Sequence, residues 1–525
     1  MLRVLALALT LALPAAADDG PLMDEAFRVA QGAMASAAGE AIAQIGARAV
    51  ARAAGLDDVL RTRQAAARRL QEVQTALARP DADRVRLTGE AEAFAAEIAA
   101  ADARIGAAAG AGPAPLSLAE VQRLLAPDEA LILIYSGQAQ VFVWAVSSRA
   151  AGWHAVSATP ELLSGVVDDL RATLDPTGAG LRAAVALEDS RPQGRGFPRR
   201  AAWLLYRYLL EPLEPVFGDV AHVYLVPDGA LTALPFAVLP TAPPEGADDD
   251  PAALRATPWL IRRHALTVLP AVESLGVIHA LPPPAPDRLA FAGYGDPAFG
   301  GALQVAALAQ GPSLTRGGLA DPGALSSLAP LPQTRPELLA IAASLGAPGG
   351  DVVLGADASE AAVKAADLSA RRVLAFATHG LLSGELPGLE EPALALTPPE
   401  VPTALDDGLL TASEIADLRL DADWVILSAC NTAGGAGPGG EGLSGLARAF
   451  LFAGARAVLV SHWPVRDDAA ARLTTGAFDR LADGRARGKS EALRLSMLAL
   501  MEDGRDPSLA HPSAWAPFVL AGDGG

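Results

Sequence analysis

From about residue 200 onward, short apolar runs alternate with amphipathic stretches, and this pattern limits the possible folds most strongly. Runs such as HVYLV, RVLAFA, WVIL and AVLVS are apolar throughout, which is typical of strands that are buried on both faces. The stretches between them place apolar residues at helical spacing. We therefore predict an α/β fold for residues 200–525, with a mostly parallel sheet flanked by helices.

The chain before residue 200 predicts two further regions. Residues 18–109 are rich in Ala, Arg, Gln and Leu at helical spacing, which indicates an N-terminal helical segment. In residues 116–199, Ser117 and Glu120 have the pattern of a capping box at the start of a short helix. The runs EALILIYS, QVFVWAVSS and GWHAVSA follow and predict a small antiparallel β region.

The first 17 residues have the features of a secretory signal. Arg3 supplies a positive start, residues 4–13 are apolar, and residues 15–17 are small, as at a cleavage site. The apolar run is shorter than the roughly 20 residues that span a bilayer. We expect cleavage after Ala17 and export to the periplasm or beyond, with no membrane segment in the mature chain. A buried N-terminal helix is the alternative.

Charge argues against one class of partner. The formal net charge is −19 and the isoelectric point is about 4.8. Binding a phosphate backbone requires clustered Lys and Arg, so we do not expect a nucleic-acid partner. An acidic, solvated surface explains the charge.

Three predicted strands of the parallel sheet run into a polar or reactive side chain: His379, Cys430 and His462. Ligands of an open parallel sheet bind at the carboxyl ends of its strands, so neighbouring strands would bring all three side chains to one crevice. Cys430 is the only cysteine in the chain and cannot form an internal disulfide. In an exported protein such a thiol is either buried and inert or chemically used.

The order and spacing of these residues indicate one kind of chemistry. A thiol becomes a nucleophile when a histidine at hydrogen-bond distance takes its proton. Cys430 follows His379 by 51 residues, close to the caspase-type spacing of about 50. The backbone N–H groups of Gly380 and Cys430 could stabilise an oxyanion. His462 is a weaker candidate base, with a place in the wall of the cleft as the alternative.

Two other chemistries fit parts of the pattern. The run GPGGEG satisfies G-x-G-x-x-G, but it does not directly follow its strand, and no acidic residue ends the next one. A metal held by His379, Cys430 and His462 would lack supporting groups that the sequence can reveal. We therefore expect neither a cofactor nor a metal.

Several motifs in the same order resemble the CHAT domain, a caspase-like domain found with tetratricopeptide repeats. They include VYLVPDGALTALPFAVLP, PLPQTRPEL, ATHG, WVILSACNTAGG and VLVSHWPVRDD. The resemblance covers about residues 115–523 and implies a caspase-hemoglobinase fold, related to caspases and separase. It implies His379 as the catalytic base and Cys430 as the nucleophile, with the amides of Gly380 and Cys430 as the oxyanion hole.

The resemblance also bears on substrate binding. The acidic position after the W-P-V motif falls on Asp467, which would line the pocket for a basic side chain of the substrate. The alternative for Asp467 is an N-cap for a helix that begins near Ala469. His462 stands where the family usually has an apolar residue, which would make the cleft more polar, and we assign it to substrate binding. Arg466 stands where an acid is common.

These observations together predict a hydrolase: a cysteine endopeptidase that cleaves a polypeptide through a thioester intermediate. The alternative is a non-catalytic caspase-like scaffold that mediates protein–protein interaction. In both cases the N-terminal helices could bind a regulatory protein.

Overall fold

The computed structural model describes most of the chain. The described residues are 20–34, 59, 62, 66, 69, 70, 73, 84–109, 115–175, 196–281, 283–301, 303, 315–316, 319–347, 349–381, 387–389, 391–403, 405–428, 445–463 and 465–525. The predicted signal segment, Cys430 and the glycine-rich run after it lie outside the described residues.

Helices occur on both sides of residue 200. They are α1 (Gly20–Ala33), α2 (Arg84–Ala109), α3 (Leu118–Leu124), α4 (Pro160–Leu174), α5 (Arg199–Leu209), α6 (Glu214–Phe217), α7 (Pro251–Ala256), α8 (Leu260–Arg263), α9 (Glu273–Ala280), α10 (Pro322–Ser326), α11 (Thr334–Ser344), α12 (Glu360–Ala365), α13 (Ala412–Asp417), α14 (Gly445–Ala453), α15 (Asp467–Ala482), α16 (Lys489–Met501) and α17 (Pro512–Trp515). Short 3₁₀ turns occur at Glu211–Leu213, Gly229–Ala233, Phe236–Val238, Gly349–Asp351, Leu368–Ala370 and Pro507–Ala510.

The strands belong to one large sheet and two small ones. They are β1 (Glu129–Ser136), β2 (Gln140–Ser147), β3 (Ala151–Ser157), β4 (His222–Val226), β5 (Ala265–Val268), β6 (Leu289–Pro297), β7 (Thr315–Arg316), β8 (Leu319–Ala320), β9 (Val352–Gly355), β10 (Arg371–Ala377), β11 (His379–Leu381), β12 (Ala393–Ala395), β13 (Leu409–Thr411), β14 (Trp424–Leu427), β15 (Ala457–Ser461) and β16 (Phe518–Gly522).

Among the described residues, eleven strands form the large sheet in the order β3-β2-β1-β4-β5-β16-β15-β14-β10-β6-β9. Strands β1, β4, β5 and β16 pair in parallel, and so do β15, β14, β10, β6 and β9. Since β15 and β16 are antiparallel, the two parallel blocks point in opposite directions. The predicted α/β fold with a mostly parallel sheet is confirmed.

Apolar residues on both faces of the strands explain why the sheet is covered by helices. In β10, Val373 and Ala375 face a core that contains residues of α11, α15 and α16. Leu374 and Phe376, which alternate with them, face a second core that contains residues of α13 and α14. This alternation, with both sets apolar, is what a parallel strand between two helical layers requires.

The predicted antiparallel region is a continuation of the large sheet. β1, β2 and β3 form an antiparallel meander, and β1 also pairs in parallel with β4, with Ala130 opposite Val223. β1 can occupy this inner position because both of its faces are apolar: Ile132 and Leu133 face different cores. The capping box at the start of α3 is present as predicted.

A small antiparallel sheet, made of β11, β12 and β13, lies where β10 ends. Thr378 alone separates β10 from β11, so the chain passes there from the large sheet into the small one. On α12, the carboxylate of Glu360 accepts hydrogen bonds from the amides of Asp407 and Gly408, at 2.8 and 3.0 Å. These bonds hold the turn that leads into β13.

The described N-terminal helices include one that packs on the sheet. The Phe27 ring of α1 meets the Trp144 ring of β2 edge-on, with 6.0 Å between centroids. The Gln31 side chain bonds to both backbone groups of Leu116, which ties α1 to the chain before α3. In the part of the chain that the structure describes, no helix combines the length and apolarity needed to cross a membrane.

Candidate active site

The three strands that lead to the predicted site residues are neighbours. β14 pairs in parallel with β10 on one side and with β15 on the other, so their carboxyl ends lie along the same edge of the sheet. β6 pairs with the other side of β10 and ends at this edge too. The expectation that these strands lie side by side is confirmed.

His379 is the first residue of β11, two residues beyond the end of β10. Its side chain is 5% exposed, and its ring lies 5.6 Å from the Phe299 ring. The ring Nε2 is 2.8 Å from the backbone carbonyl oxygen of Ala329. Because a carbonyl oxygen only accepts, Nε2 must carry the proton, and in the neutral ring Nδ1 then holds the lone pair.

Burial lowers the pKa of the His379 imidazole, and the bond to the Ala329 carbonyl, which favours the charged ring, offsets only part of this effect. The ring is therefore neutral at pH 7 and has one unprotonated nitrogen. Gly380 follows it in β11, opposite Leu394 of β12. The chain thus brings a neutral imidazole and a glycine to the edge where β10 and β14 end.

Cys430 lies outside the described residues, and so does its proposed backbone N–H donor. The chain is described up to Ser428, whose amide donates to the carbonyl of Phe376 at 3.0 Å and so extends the pairing of β14 with β10. Only Ala429 separates Ser428 from Cys430 in the sequence. The assignment of Cys430 as the nucleophile stays a prediction.

Residues 329–337 contact three neighbouring strand ends, which sequence reasoning did not find. The Ala329 carbonyl accepts from His379, the Thr334 hydroxyl accepts from the amide of Asp296 at 2.8 Å, and the Glu337 carboxylate accepts from the Ser428 hydroxyl at 3.0 Å. Asp296 is the second-last residue of β6, Ser428 follows β14, and His379 follows β10. We call residues 329–337 the bridging segment.

The sequence carried one signal for the bridging segment. In α11, Leu338, Ile341 and Ala342 form a buried apolar stripe, and Thr334 and Glu337 continue the same stripe toward the start of the helix. Two polar residues on the inward face of a helix are unusual unless they have partners. PLPQTRPEL was noted only as part of the family resemblance.

Asp296 is also distinctive, because it is the sole non-glycine residue with a positive φ, 47°, among those described. Its carboxylate pairs with the Arg335 guanidinium of α11 at 2.8 Å. A non-glycine residue in this region is uncommon and is held there by its surroundings. Here the hydrogen bond from the Asp296 amide to Thr334 contributes to that restraint.

His462 follows β15 and is buried, with 3% of its surface exposed. Burial, aided by the nearby Arg171 guanidinium, lowers the pKa of His462 to about 3. The ring lines an internal cavity of about 40 Å³ between the sheet and α16, and its Nδ1 has no hydrogen-bond partner among the described residues. Its assignment to substrate binding stays a prediction, and this burial counts against it.

Asp467 is the first residue of α15, and the N-cap position belongs to Arg466. The alternative that Asp467 caps a helix beginning near Ala469 is therefore wrong, since the helix starts two residues earlier. Arg466 pairs with Asp468 at 2.8 Å and with Asp506 at 3.2 Å. A role for Asp467 in binding a basic side chain stays a prediction.

The fold and the site define an α/β protein with a buried histidine at the carboxyl edge of a mostly parallel sheet. The sequence pattern of the CHAT domain matches residues 199–523, which is more than half of the chain, and the chain belongs to this family. The resemblance seen in the motifs is confirmed.

Comparison with individual proteins gives more distant likenesses. Tetratricopeptide repeat protein 28 of Mus musculus is 28% identical over 363 residues, which is 61% of this chain but only 13% of that protein. The Saccharomyces cerevisiae separase–securin complex matches 77% of this chain and 30% of that one, at 11% identity and a TM-score of 0.42. The Arg-specific cysteine proteinase gingipain R matches 62% of this chain and 68% of that one, at 12% identity and a TM-score of 0.35.

Proposed function

We propose that this protein is an exported cysteine endopeptidase in which His379 is the base and Cys430 the nucleophile. The observation that carries the proposal is the neutral His379 ring, oriented by the Ala329 carbonyl where β10 ends. The neighbouring strand β14 leads two residues past Ser428 to Cys430, the single thiol of the chain. Membership of the CHAT family supports the same assignment.

In this proposal Nδ1 of His379 takes the proton of the Cys430 thiol as the sulfur attacks the scissile carbonyl carbon. Burial disfavours the charged ring, so in this proposal the transfer of the proton to Nδ1 accompanies the attack of the sulfur. The oxyanion accepts hydrogen bonds from the amides of Gly380 and Cys430. The C–N bond then breaks, and the leaving amine takes the proton back from His379.

The acyl group now forms a thioester with the Cys430 sulfur. Water attacks this thioester and gives up a proton to Nδ1 of His379, and the departing sulfur regains that proton. The products are a peptide with a new carboxyl end and the free thiol. The proposed substrate is a polypeptide, and Asp467 is our candidate for contact with a basic side chain next to the cleaved bond.

Digestion of a peptide library by the purified mature protein tests this function. We expect the wild type to cleave and the Cys430→Ala and His379→Ala variants to have lost cleavage, with circular dichroism unchanged. His279→Ala is the matched control, because His279 is exposed on α9 and should be dispensable. Cleavage that persists in a folded Cys430→Ala or His379→Ala variant would show that His379 and Cys430 are not the catalytic dyad.

The non-catalytic scaffold remains the second candidate because only 5% of the surface of His379 is exposed. A ring so covered could serve packing alone, with protein partners bound elsewhere. A thiol-reactive peptide probe distinguishes the two functions. A peptidase should label at Cys430 faster than a free cysteine in solution, and a scaffold should not.

A further inference from the structure

The bridging segment, residues 329–337, connects the two halves of the proposed dyad. At one end the Ala329 carbonyl holds the His379 ring, and at the other end Glu337 holds Ser428, each through one hydrogen bond. Between them, Thr334 binds the end of β6. One short stretch of chain therefore contacts both His379 and the residue after β14, in addition to the direct pairing of β10 with β14.

Glu337 is costly to place where it is. Its side chain is 5% exposed and lies on the inward stripe of α11 that otherwise continues with Leu338 and Ile341. Burying a carboxylate costs several kcal/mol unless hydrogen bonds compensate, and an apolar side chain of similar size would pack there without that cost. The hydrogen bond from the Ser428 hydroxyl to the Glu337 carboxylate compensates part of this cost.

Ser428 connects Glu337 to the end of β14. Its amide bonds to the Phe376 carbonyl and continues the pairing of β14 with β10, while its hydroxyl bonds to Glu337. Two extended residues span at most about 7 Å, so the position of Ser428 restricts where Cys430 can be. A misplacement of about 1 Å between reacting groups can cost about 100-fold in rate.

We propose that Glu337 is a positioning residue: through the Ser428 hydroxyl it fixes the end of β14, and hence Cys430, relative to His379. The consequence for peptide cleavage rests on the proposed function. The consequence for the Cys430 thiol does not, because that thiol can be probed without a substrate.

Alkylation by iodoacetamide provides this probe, since the chain has a single cysteine. We expect wild-type Cys430 to react at pH 7 at a rate that depends on His379, so that His379→Ala slows it. Glu337→Ala should slow alkylation to the level of His379→Ala. Glu337→Gln keeps an oxygen that can accept from Ser428 and should react within about threefold of wild type, with the same pH profile.

Ser428→Ala removes the other partner with a smaller change to the protein. It should slow alkylation, and the double variant should be no slower than Glu337→Ala, because both substitutions remove the same hydrogen bond. Thermal unfolding of each variant checks the fold, and Glu92→Ala, an exposed glutamate of α2, is the matched control. Should Glu337→Ala fail to fold, Ser428→Ala and Glu337→Gln carry the test.

Peptide cleavage by the same variants separates this inference from the proposed function. We expect Glu337→Ala to lower kcat by about 10- to 100-fold with little change in KM. If the wild type cleaves nothing while alkylation still depends on Glu337 and Ser428, the positioning role stands and the peptidase proposal falls. If folded Glu337→Ala and Ser428→Ala variants are alkylated with the wild-type rate and pH profile, the positioning role is wrong, whatever the cleavage assay gives.

Discussion

Several histidine side chains are buried in the described part of the chain. The Nδ1 atom of His264 bonds to the Val220 carbonyl at 2.7 Å, and burial lowers the pKa of His264 to about 4. Burial likewise lowers the pKa of His511 to about 4 and holds that of His379 below its ordinary value. These rings are neutral at pH 7 and resist protonation in the folded protein.

This burial predicts how stability depends on pH. The unfolded chain protonates a histidine near pH 6.5, whereas folded His264 protonates near pH 4, so stability is lost as the pH falls between these values. The loss from His264 should be about 2 kcal/mol at about pH 5. In urea unfolding at about pH 7.5 and about pH 5, the wild type should lose roughly that much more stability than His264→Asn.

The exposed His279 supplies the control for this measurement. His279→Asn should keep the pH dependence of the wild type, because this ring is exposed to water in the folded and in the unfolded protein. Identical pH dependence in the wild type and in His264→Asn would show that the His264 ring does not cause the loss of stability at low pH.

The candidate residues differ in how readily the sequence reveals them. Cys430 and His379 were accessible because each follows a strongly apolar strand and because the thiol is unique in the chain. Ala329 acts through its backbone carbonyl, which every residue has, so no side-chain pattern could identify it. Glu337 left a weak signal, a polar residue on an apolar helix face, whose partner only the fold reveals.

At the scale of elements, the small sheet that carries His379 depends on few contacts. Its strands β11, β12 and β13 have three residues each, too few to show a period-two pattern, and the sequence did not predict them. β5 was not predicted either, because its four residues include Thr267, whereas the equally short β14 is apolar throughout. The apolar strands β4, β10, β14 and β15 were predicted, because composition alone indicates strands that are buried on both faces.

Glu360 of α12 stabilises the turn that leads into β13, and its substitution should lower the stability of the protein. Its side chain is 1% exposed, it bonds to the amides of Asp407 and Gly408, and it pairs with Lys364. Glu360→Ala would leave the Asp407 and Gly408 amides without their acceptor, while Lys364 keeps its pairing with Glu414. We expect a loss of about 2–4 kcal/mol. Urea unfolding gives the free energy, and hydrogen exchange should show faster exchange in β12 and β13.

Glu400→Ala is the matched control, since Glu400 is exposed in the loop between β12 and β13. It should change stability by no more than about 0.5 kcal/mol. Unchanged stability and exchange in Glu360→Ala would mean that the small sheet does not depend on this carboxylate.

At the scale of the whole molecule, the large sheet runs across the boundary that the sequence pattern suggests near residue 200. β1 pairs with β4, although one lies before this boundary and the other after it. The change of pattern at residue 200 is a local property of the sequence, whereas strand pairing joins segments far apart in the chain. Periodicity could therefore indicate the strands on both sides without revealing that they share one sheet.

This continuity predicts the effect of truncation. A chain limited to residues 199–525, close to the span of the family match, would leave β4 as an open edge and uncover its apolar faces. We expect it to aggregate, because unpaired apolar edges associate. A chain of residues 115–525 keeps β1 to β3 and should elute from size-exclusion chromatography without aggregates. If the 199–525 chain does not aggregate and unfolds at the same urea concentration as the 115–525 chain, this prediction is wrong.

In the proposed mechanism, His379 and Cys430 act on each other at the carboxyl edge of the sheet. The most direct measurement is the rate at which iodoacetamide alkylates Cys430 at pH 7 in the wild type and in His379→Ala. An ordinary thiol is only a few per cent ionised at this pH, so help from His379 should make the wild type react about tenfold faster or more. Equal rates in the two folded proteins would contradict the claim.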